Sequence, residues 1–289
     1  DEPFSGSSIY CIYRTFAEAS KFGYKVMLDG QGSDELFAGY HGYPYSYAKD
    51  LYSDEGIKEL LGFCKEWSKM PNRGFKKATN IFASTLISKH TKLRPKIVQR
   101  FLRRIKYLNF FSKSNFTKFN QNPNNIISPN FYDNNFINNL FESLTFNGLP
   151  NLLRTGDRSS MANSVESRVP FLNILLMEFV LSLPNEFLLS KKGETKYILR
   201  KALKGIVPDE ILNRKDKIGA ITPNKELLKS LVDFYPNYLE PLFDSNLINH
   251  KLVKKSFNKL SQNKNVDTDF LWRIFNVSSW CYINNINLD

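Results

Sequence analysis

Leu28-Asp29-Gly30-Gln31-Gly32-Ser33-Asp34-Glu35-Leu36 places two glycines, a hydroxyl and three carboxylates in one short stretch. Gly30 and Gly32 permit close backbone approach and positive φ, so successive N–H groups there can form a concavity for an anion beside a helix start. Asp34 and Glu35, facing the same region, would repel a phosphate held in that concavity unless a cation lay between them. Mg²⁺ held by one or two carboxylates together with substrate phosphates removes the repulsion. Gly30, Gly32, Ser33 and Asp34 are therefore candidates for holding a ligand's phosphates, and Asp34 is the candidate metal ligand. The same residues also read as a tight strand-to-helix turn with an acidic cap.

Two later stretches carry further chemistry. From Asn151 to Leu172, charged residues stand among apolar ones on what reads as a core-facing helix. Buried charges need partners or ligands, so Asp157 and Glu166 enter as catalytic candidates. Arg154 and Arg168 read first as members of structural ion pairs, Arg154 with Asp157 three positions on. Near the helix that opens after Gly193, Lys196 occupies a first turn, where the helix dipole disfavours a cation. That placement suggests work on an anion; a solvated basic helix start is the other reading.

These groups need elements to hold them. Apolar residues at 9, 12, 13, 16 and 19 predict a helix over Ile9 to Phe22, capped by Gly23. Lys25 to Leu28 is a brief apolar run suited to one parallel strand, and a glycine turn and a helix from Ser33 follow it. Residues 51–104 read as helices broken at Pro71 and Pro95. One face carries Ile57, Leu60, Leu61, Cys64 and Trp67, another Ile97, Phe101, Ile105 and Leu108. Between Asn109 and Asn147 the text turns rich in asparagine and phenylalanine, an irregular connection holding a short helix near Phe136 to Leu144. The last of two or three closing helices is expected near Asp269 to Ile283. The chain thus reads as mainly α with a small parallel β remnant, in three parts: 1–48 with the strand and glycine loop, 49–148 as a helical insertion with its Asn-rich connection, and 149–289 as a helical part carrying Lys196.

Composition removes other classes. With 289 residues, 42% hydrophobic and 24% charged, the chain is globular and neither fibrous nor wholly disordered. Cys11, Cys64 and Cys281 lie far apart, so neither a disulfide framework nor a cysteine zinc site is written, and a reducing, cytoplasmic setting is expected. Three dispersed histidines argue against a zinc hydrolase. The longest apolar run, Ile174 to Leu183, is interrupted by Glu178 and Ser182 and cannot span a bilayer. The formal charge of +12 invites an anionic partner. The basic stretch Arg94, Lys96, Arg100, Arg103, Arg104 and Lys106 allows a non-catalytic module docking on an anionic surface, but with no recognised motif or aromatic platform, nucleic acid is not expected.

Taken in order, the three stretches resemble the synthetase part of the glutamine-dependent asparagine synthetase family. The likeness is carried by Asp1-Glu2-Pro3-Phe4, Gly30 to Tyr40, the Leu152-Leu153-Arg154 to Arg168-Val169-Pro170-Phe171-Leu172 block, Lys196-Tyr197-Ile198-Leu199-Arg200, Val207-Pro208 with Glu210-Ile211, and Arg214 with Lys217-Ile218-Gly219. The resemblance implies the C-terminal part of an α/β adenine-nucleotide α-hydrolase-like (ATP pyrophosphatase) domain. It implies a ligase using ATP and Mg²⁺ to adenylate a carboxylate, aspartate or a relative, with release of pyrophosphate. Ammonia from a glutaminase domain, upstream or in trans, then attacks the acyl-adenylate. Asp34 would hold Mg²⁺ with pyrophosphate, and Lys196 would stabilise charge on phosphate and on the tetrahedral intermediate. The family's Ser-Gly-Gly-x-Asp-Ser loop and the glutaminase cysteine are not in this text and are expected upstream of Asp1, so these 289 residues alone are expected to bind ATP weakly or not at all and to be inactive by themselves. Gln31 stands where relatives carry a carboxylate proposed as base for amine attack. An amide cannot take that proton, which admits a sugar or another carboxylate as acceptor.

Overall fold

The computed structural model describes residues 2–4, 6–90, 110–111, 131–214, 219 and 222–288. Helix accounts for most of them, and the strands form a two-stranded parallel sheet. The chain divides into two compact units, one of Phe16–Pro95 with Ile127–Ile218, the other of Asp1–Thr15, Lys96–Ile126 and Gly219–Asp289.

In the first unit, helix α1 (Ser8–Lys21), shared across the division, buries Phe16 and Ala19 and stops before Gly23 at φ 81°. Strand β1 (Val26–Leu28) follows, then the single turn α2 (Ser33–Leu36). Helices α3 (Tyr43–Glu55), α4 (Ile57–Ser68) and α5 (Gly74–His90) pack together. Gly56, at φ 89°, ends α3 and starts α4. The buried face of α4 is Leu60, Phe63, Cys64 and Trp67. The sequence-predicted face includes Ile57 and Leu61, but both are about half exposed: the i, i+3, i+4, i+7 stripe begins at Leu60 and recruits Phe63 instead. The predicted face at Ile97 to Leu108 and the basic stretch Arg94 to Lys106 lie outside the described residues.

Helix α6 (Asn135–Thr145) matches the short helix expected in the Asn-rich connection. Its start is fixed from two directions. Asn134 accepts a hydrogen bond from the Ile137 amide at 2.9 Å, and Asp50 of α3 accepts from the Asn135 amide, the Asn135 side chain and the Phe136 amide at 3.1, 2.6 and 2.7 Å. Asp50 is 6% exposed and Phe136 fully buried, so this cap locks α3 to α6 within the core.

Helix α7 (Leu149–Met161) leads into β2 (Glu166–Arg168), which pairs in parallel with β1 in the register Val26↔Glu166, Met27↔Ser167, Leu28↔Arg168. This corrects the reading of 151–172 as one core-facing helix. The helix stops at Met161, and Asp157, Arg154, Glu166 and Arg168 are all exposed. Charge among apolar neighbours signals burial only where those neighbours face inward, and here Ser159 and Ser160 do so. A 3₁₀ turn (Pro170–Leu172), α8 (Ile174–Leu181), α9 (Asn185–Leu188), α10 (Tyr197–Ala202) and α11 (Asp209–Leu212) complete the unit.

The second unit builds its own core from α12 (Asn224–Phe234), a 3₁₀ turn (Pro236–Leu239), α13 (Glu240–Asp244), α14 (His250–Ser261) and α15 (Thr268–Ile283). Asp267 caps α15 by accepting from the Phe270 amide at 3.1 Å, close to the predicted start. No helix among the described residues is long and apolar enough to cross a membrane.

Replacing Asp50 by alanine strands two backbone donors at a buried helix start, and denaturant titration is expected to show a loss of about 2–4 kcal/mol. Burial, outweighing the three donated hydrogen bonds, raises the Asp50 pKa. Its folded state therefore holds the proton more tightly than the unfolded chain. The Asp50 contribution is largest below the ordinary aspartate pKa and declines as pH rises through the raised value. The stability difference between wild type and Asp50→Asn, followed across acid pH, reads this slope.

Candidate active site

The parallel ladder brings the chain that leaves β1 alongside the chain that leaves β2, the end of a parallel sheet where open α/β folds place ligands. The ladder continues one bond further, the Asp29 amide donating to the Arg168 carbonyl at 2.7 Å. Asp29 Oδ1 then accepts from the Gln31 amide at 3.2 Å, closing an Asx-type turn. Gly32 adopts φ 88°, and a Cβ there would lie 2.3 Å from Leu172 Cδ2 in the turn after β2. Gly30 does not share the positive φ and has open space where a Cβ would stand. The two glycines expected to act alike thus differ: Gly32 permits the contact between loops, and Gly30 leaves the loop surface bare.

Helix α2 is one turn long, so its dipole is small and local charge must come from side chains. That charge is a pair. Lys196 Nζ lies 3.1 Å from Asp34 Oδ1 and donates to Ser33 Oγ at 3.0 Å, across 163 positions of sequence. Both charged side chains are about a quarter exposed. Lys196 caps α10 rather than sitting within its first turn, in the left-handed region at φ 55°, ψ 34°. Its amide donates to the Phe37 carbonyl at 3.0 Å, and its carbonyl accepts from the Arg200 amide at 3.0 Å. The backbone is therefore pinned on both sides, and a conformation costly for a side-chain-bearing residue aims the ammonium at α2.

Gly39 makes the pair possible. A Cβ at this position would stand 1.8 Å from Asp34 Oδ1 and 2.6 Å from Lys196 Cε. Gly39 lies outside the glycine loop that the sequence singles out; its only local signal is Ala38-Gly39 directly after the acidic turn. Ala38, fully buried, takes φ 56° and reverses the chain there.

Asp34 and Glu35 diverge, as neighbours on a helical turn must. Glu35 is 1% exposed and accepts from the Tyr40 hydroxyl at 2.8 Å. Burial, that bond and the charges of Glu35 and Asp34 drive the Tyr40 pKa far upward, and burial does the same to Tyr43. Both phenols stay protonated and belong to the core. Glu166 begins β2 at the ladder end away from the glycine loop and pairs with Arg168 at 2.8 Å, in the open. The hydrogen bond and charge of Arg168 hold its carboxyl below the usual range. Asp157 lies on the exposed face of α7. The structure thus gathers Ser33, Asp34 and Lys196 beside the Gly30–Gly32 loop, and leaves Asp157 and Glu166 apart from them.

Among the described residues no three His, Cys, Asp or Glu side chains gather to hold a metal. The donors present, one carboxylate and one hydroxyl, are hard oxygens suited to Mg²⁺ only when a ligand's phosphates complete its shell.

The asparagine synthase family model matches residues 1–281. The chain is 29% identical over 239 residues to glutamine-hydrolyzing asparagine synthetase 1 of Bacillus subtilis, covering 80% of this chain and 35% of that protein. It is 43% identical over 86 residues to glutamine-hydrolyzing asparagine synthetase 3 of the same organism, 30% of this chain and 14% of that one. With the glutamine-hydrolyzing asparagine synthetase of Gallus gallus it shares 32% identity over 109 residues, 35% of this chain and 18% of the relative. The chain spans about a third or less of the length of these relatives.

Gly39→Ala is expected to separate Lys196 from Asp34 while leaving the fold intact, because both clashing atoms belong to side chains that can swing aside. The expected outcome is a denaturation shift of about 1 kcal/mol or less. In the variant's crystal structure, Nζ and Oδ1 are expected to stand beyond ion-pair distance of each other.

Proposed function

The chain belongs to the asparagine synthase family, and on that premise we propose that it supplies the Asp34–Lys196 half of a nucleotide site in an ATP-dependent, amide-forming ligase. The observation that carries this reading is the lysine–carboxylate pair set beside a glycine loop at the carboxyl ends of two parallel strands. The fold we infer is of the adenine-nucleotide hydrolase-like kind, and the setting a reducing cytoplasm.

In this reading a substrate carboxylate attacks the α-phosphorus of ATP, the bond to pyrophosphate breaks, and ammonia from a glutaminase then displaces AMP from the acyl group. Lys196 holds its ammonium where negative charge grows, on the leaving pyrophosphate and on the oxyanion of the second step. A partly exposed lysine–carboxylate pair can exchange partners at small cost. An incoming phosphate would draw Lys196 from Asp34, and Asp34 with Ser33 would then face Mg²⁺, which neutralises phosphate charge when bound. Gly32 and the unencumbered Gly30 present the loop backbone to the polyphosphate. This reading assigns no role to Asp157 or Glu166: both are exposed, and Glu166 pairs with Arg168.

Gln31 favours one refinement. Its amide cannot accept a proton from an attacking amine. Either another group serves as base or the acceptor differs from aspartate, and a sugar or other carboxylate is the second reading.

Lys196→Ala in the complete gene product is expected to lower acyl-dependent pyrophosphate release about 10²- to 10³-fold. Pyrophosphate and AMP are to be measured across aspartate and other carboxylates. Retention of the full rate on every acceptor that the wild type uses removes Lys196 from the chemistry.

A further inference from the structure

A second cluster of positive charge lies under the helix that Lys196 opens. Arg73, in the turn before α5, is 8% exposed. Its guanidinium lies over the Trp67 ring, 5.1 Å from the centroid, and donates from Nη1 to the Gly193 carbonyl at 2.7 Å. Gly193, at φ 84°, is pressed so closely on Trp67 that a Cβ would stand 3.1 Å from the Trp67 Cα. Arg200, in α10, donates from Nε to the Thr195 carbonyl at 3.0 Å and from Nη1 to the Leu212 carbonyl. The two arginines, with Gly193, Glu194, Thr195 and Asn213, line a cavity of about 20 Å³.

Three observations leave this cavity unbalanced. The buried Arg73 Nε has no hydrogen-bond partner among the described residues. Neither arginine forms an ion pair among those residues, and Glu194, whose backbone bonds Ser190 in both directions, lines the cavity without its carboxylate pairing with either guanidinium. Burial, reinforced by the charge of Arg200, lowers the Arg73 pKa to about 10. Two guanidiniums close enough to oppose one another, with an orphaned donor, call for an acceptor that also carries negative charge. A water would accept the hydrogen bond and leave the charge uncompensated.

We propose that the cavity between Arg73 and Arg200 binds a single monatomic anion, a halide such as chloride, which bridges the two guanidiniums and accepts from Arg73 Nε. Its volume suits one water-sized occupant. The anion ties the turn ahead of α5 to α10, the helix whose cap is Lys196, and so supports the ammonium from beneath.

The test replaces chloride by bromide. Crystals of the chain grown at modest bromide concentration, with data collected at the bromine absorption edge, are expected to show an anomalous peak between Arg73 and Arg200. At constant ionic strength, replacing gluconate with chloride is expected to raise Tm by about 2–4 °C in a saturating manner. Arg73→Met, which keeps an apolar stem on Trp67, is expected to abolish that rise. No anomalous peak overturns the proposal. So does a peak accompanied by equal Tm in gluconate and chloride, which marks an adventitious ion only. If Arg73→Met fails to fold, the wild-type peak and the saturation curve decide the matter.

Discussion

The parallel pairing of Val26–Leu28 with Glu166–Arg168 joins segments 140 positions apart. On that join depends the meeting of the glycine loop with the turn after β2. Closing a loop of that length costs about 4 kcal/mol in chain entropy beyond a constant, and three residues of ladder, with Val26 and Leu28 exposed, cannot supply it. The closure is held by the helices between. Helices α3, α4, α5 and α6 form one core, and the buried Asp50 carboxylate fastens α3 to the first turn of α6. The strands register the site; the helical intervening segment stabilises the register.

Within that frame the site is a division of labour between adjacent residues. Glu35 turns inward, where Tyr40 satisfies it, and anchors the turn; Asp34 turns to the surface and meets Lys196. Lys196 arrives on a backbone fixed by the Phe37 carbonyl, so the segment around α2 positions the cation twice, once through its main chain and once through the Asp34 carboxylate. Exchange of one ionic partner for another would leave the main-chain anchor in place.

Much of the site is legible in the sequence because its signals are local. A glycine loop with a hydroxyl and acids, and a lysine at a helix start, announce themselves within a few residues, and the helices at Ser8–Lys21, Asn135–Thr145 and Thr268–Ile283 follow from periodicity and capping residues. Strand β2 is hidden. Glu166-Ser167-Arg168 has neither the β-branched nor the aromatic residues that mark a strand, and it becomes one only by pairing with β1. Taken as a continuation of the helix before it, the segment predicts a buried Glu166 and a buried Asp157, and both are exposed. Gly39 and the Arg73–Arg200 cavity are equally invisible, since both arise from residues that meet only after the chain has closed on itself.

The bare Cα of Gly39 also constrains how this site can change over time. Position 39 has room for a hydrogen and nothing more while Asp34 and Lys196 keep their present contact. A larger residue there is accommodated by the fold only with the two charged side chains swung apart, so it costs the pair rather than the fold. Mutations at 34, 39 and 196 are therefore epistatic by geometry. The order in which they occur decides whether an intermediate keeps the ion pair: a change at the glycine alone already parts the charges, whereas a change at one charge first leaves the glycine free to vary.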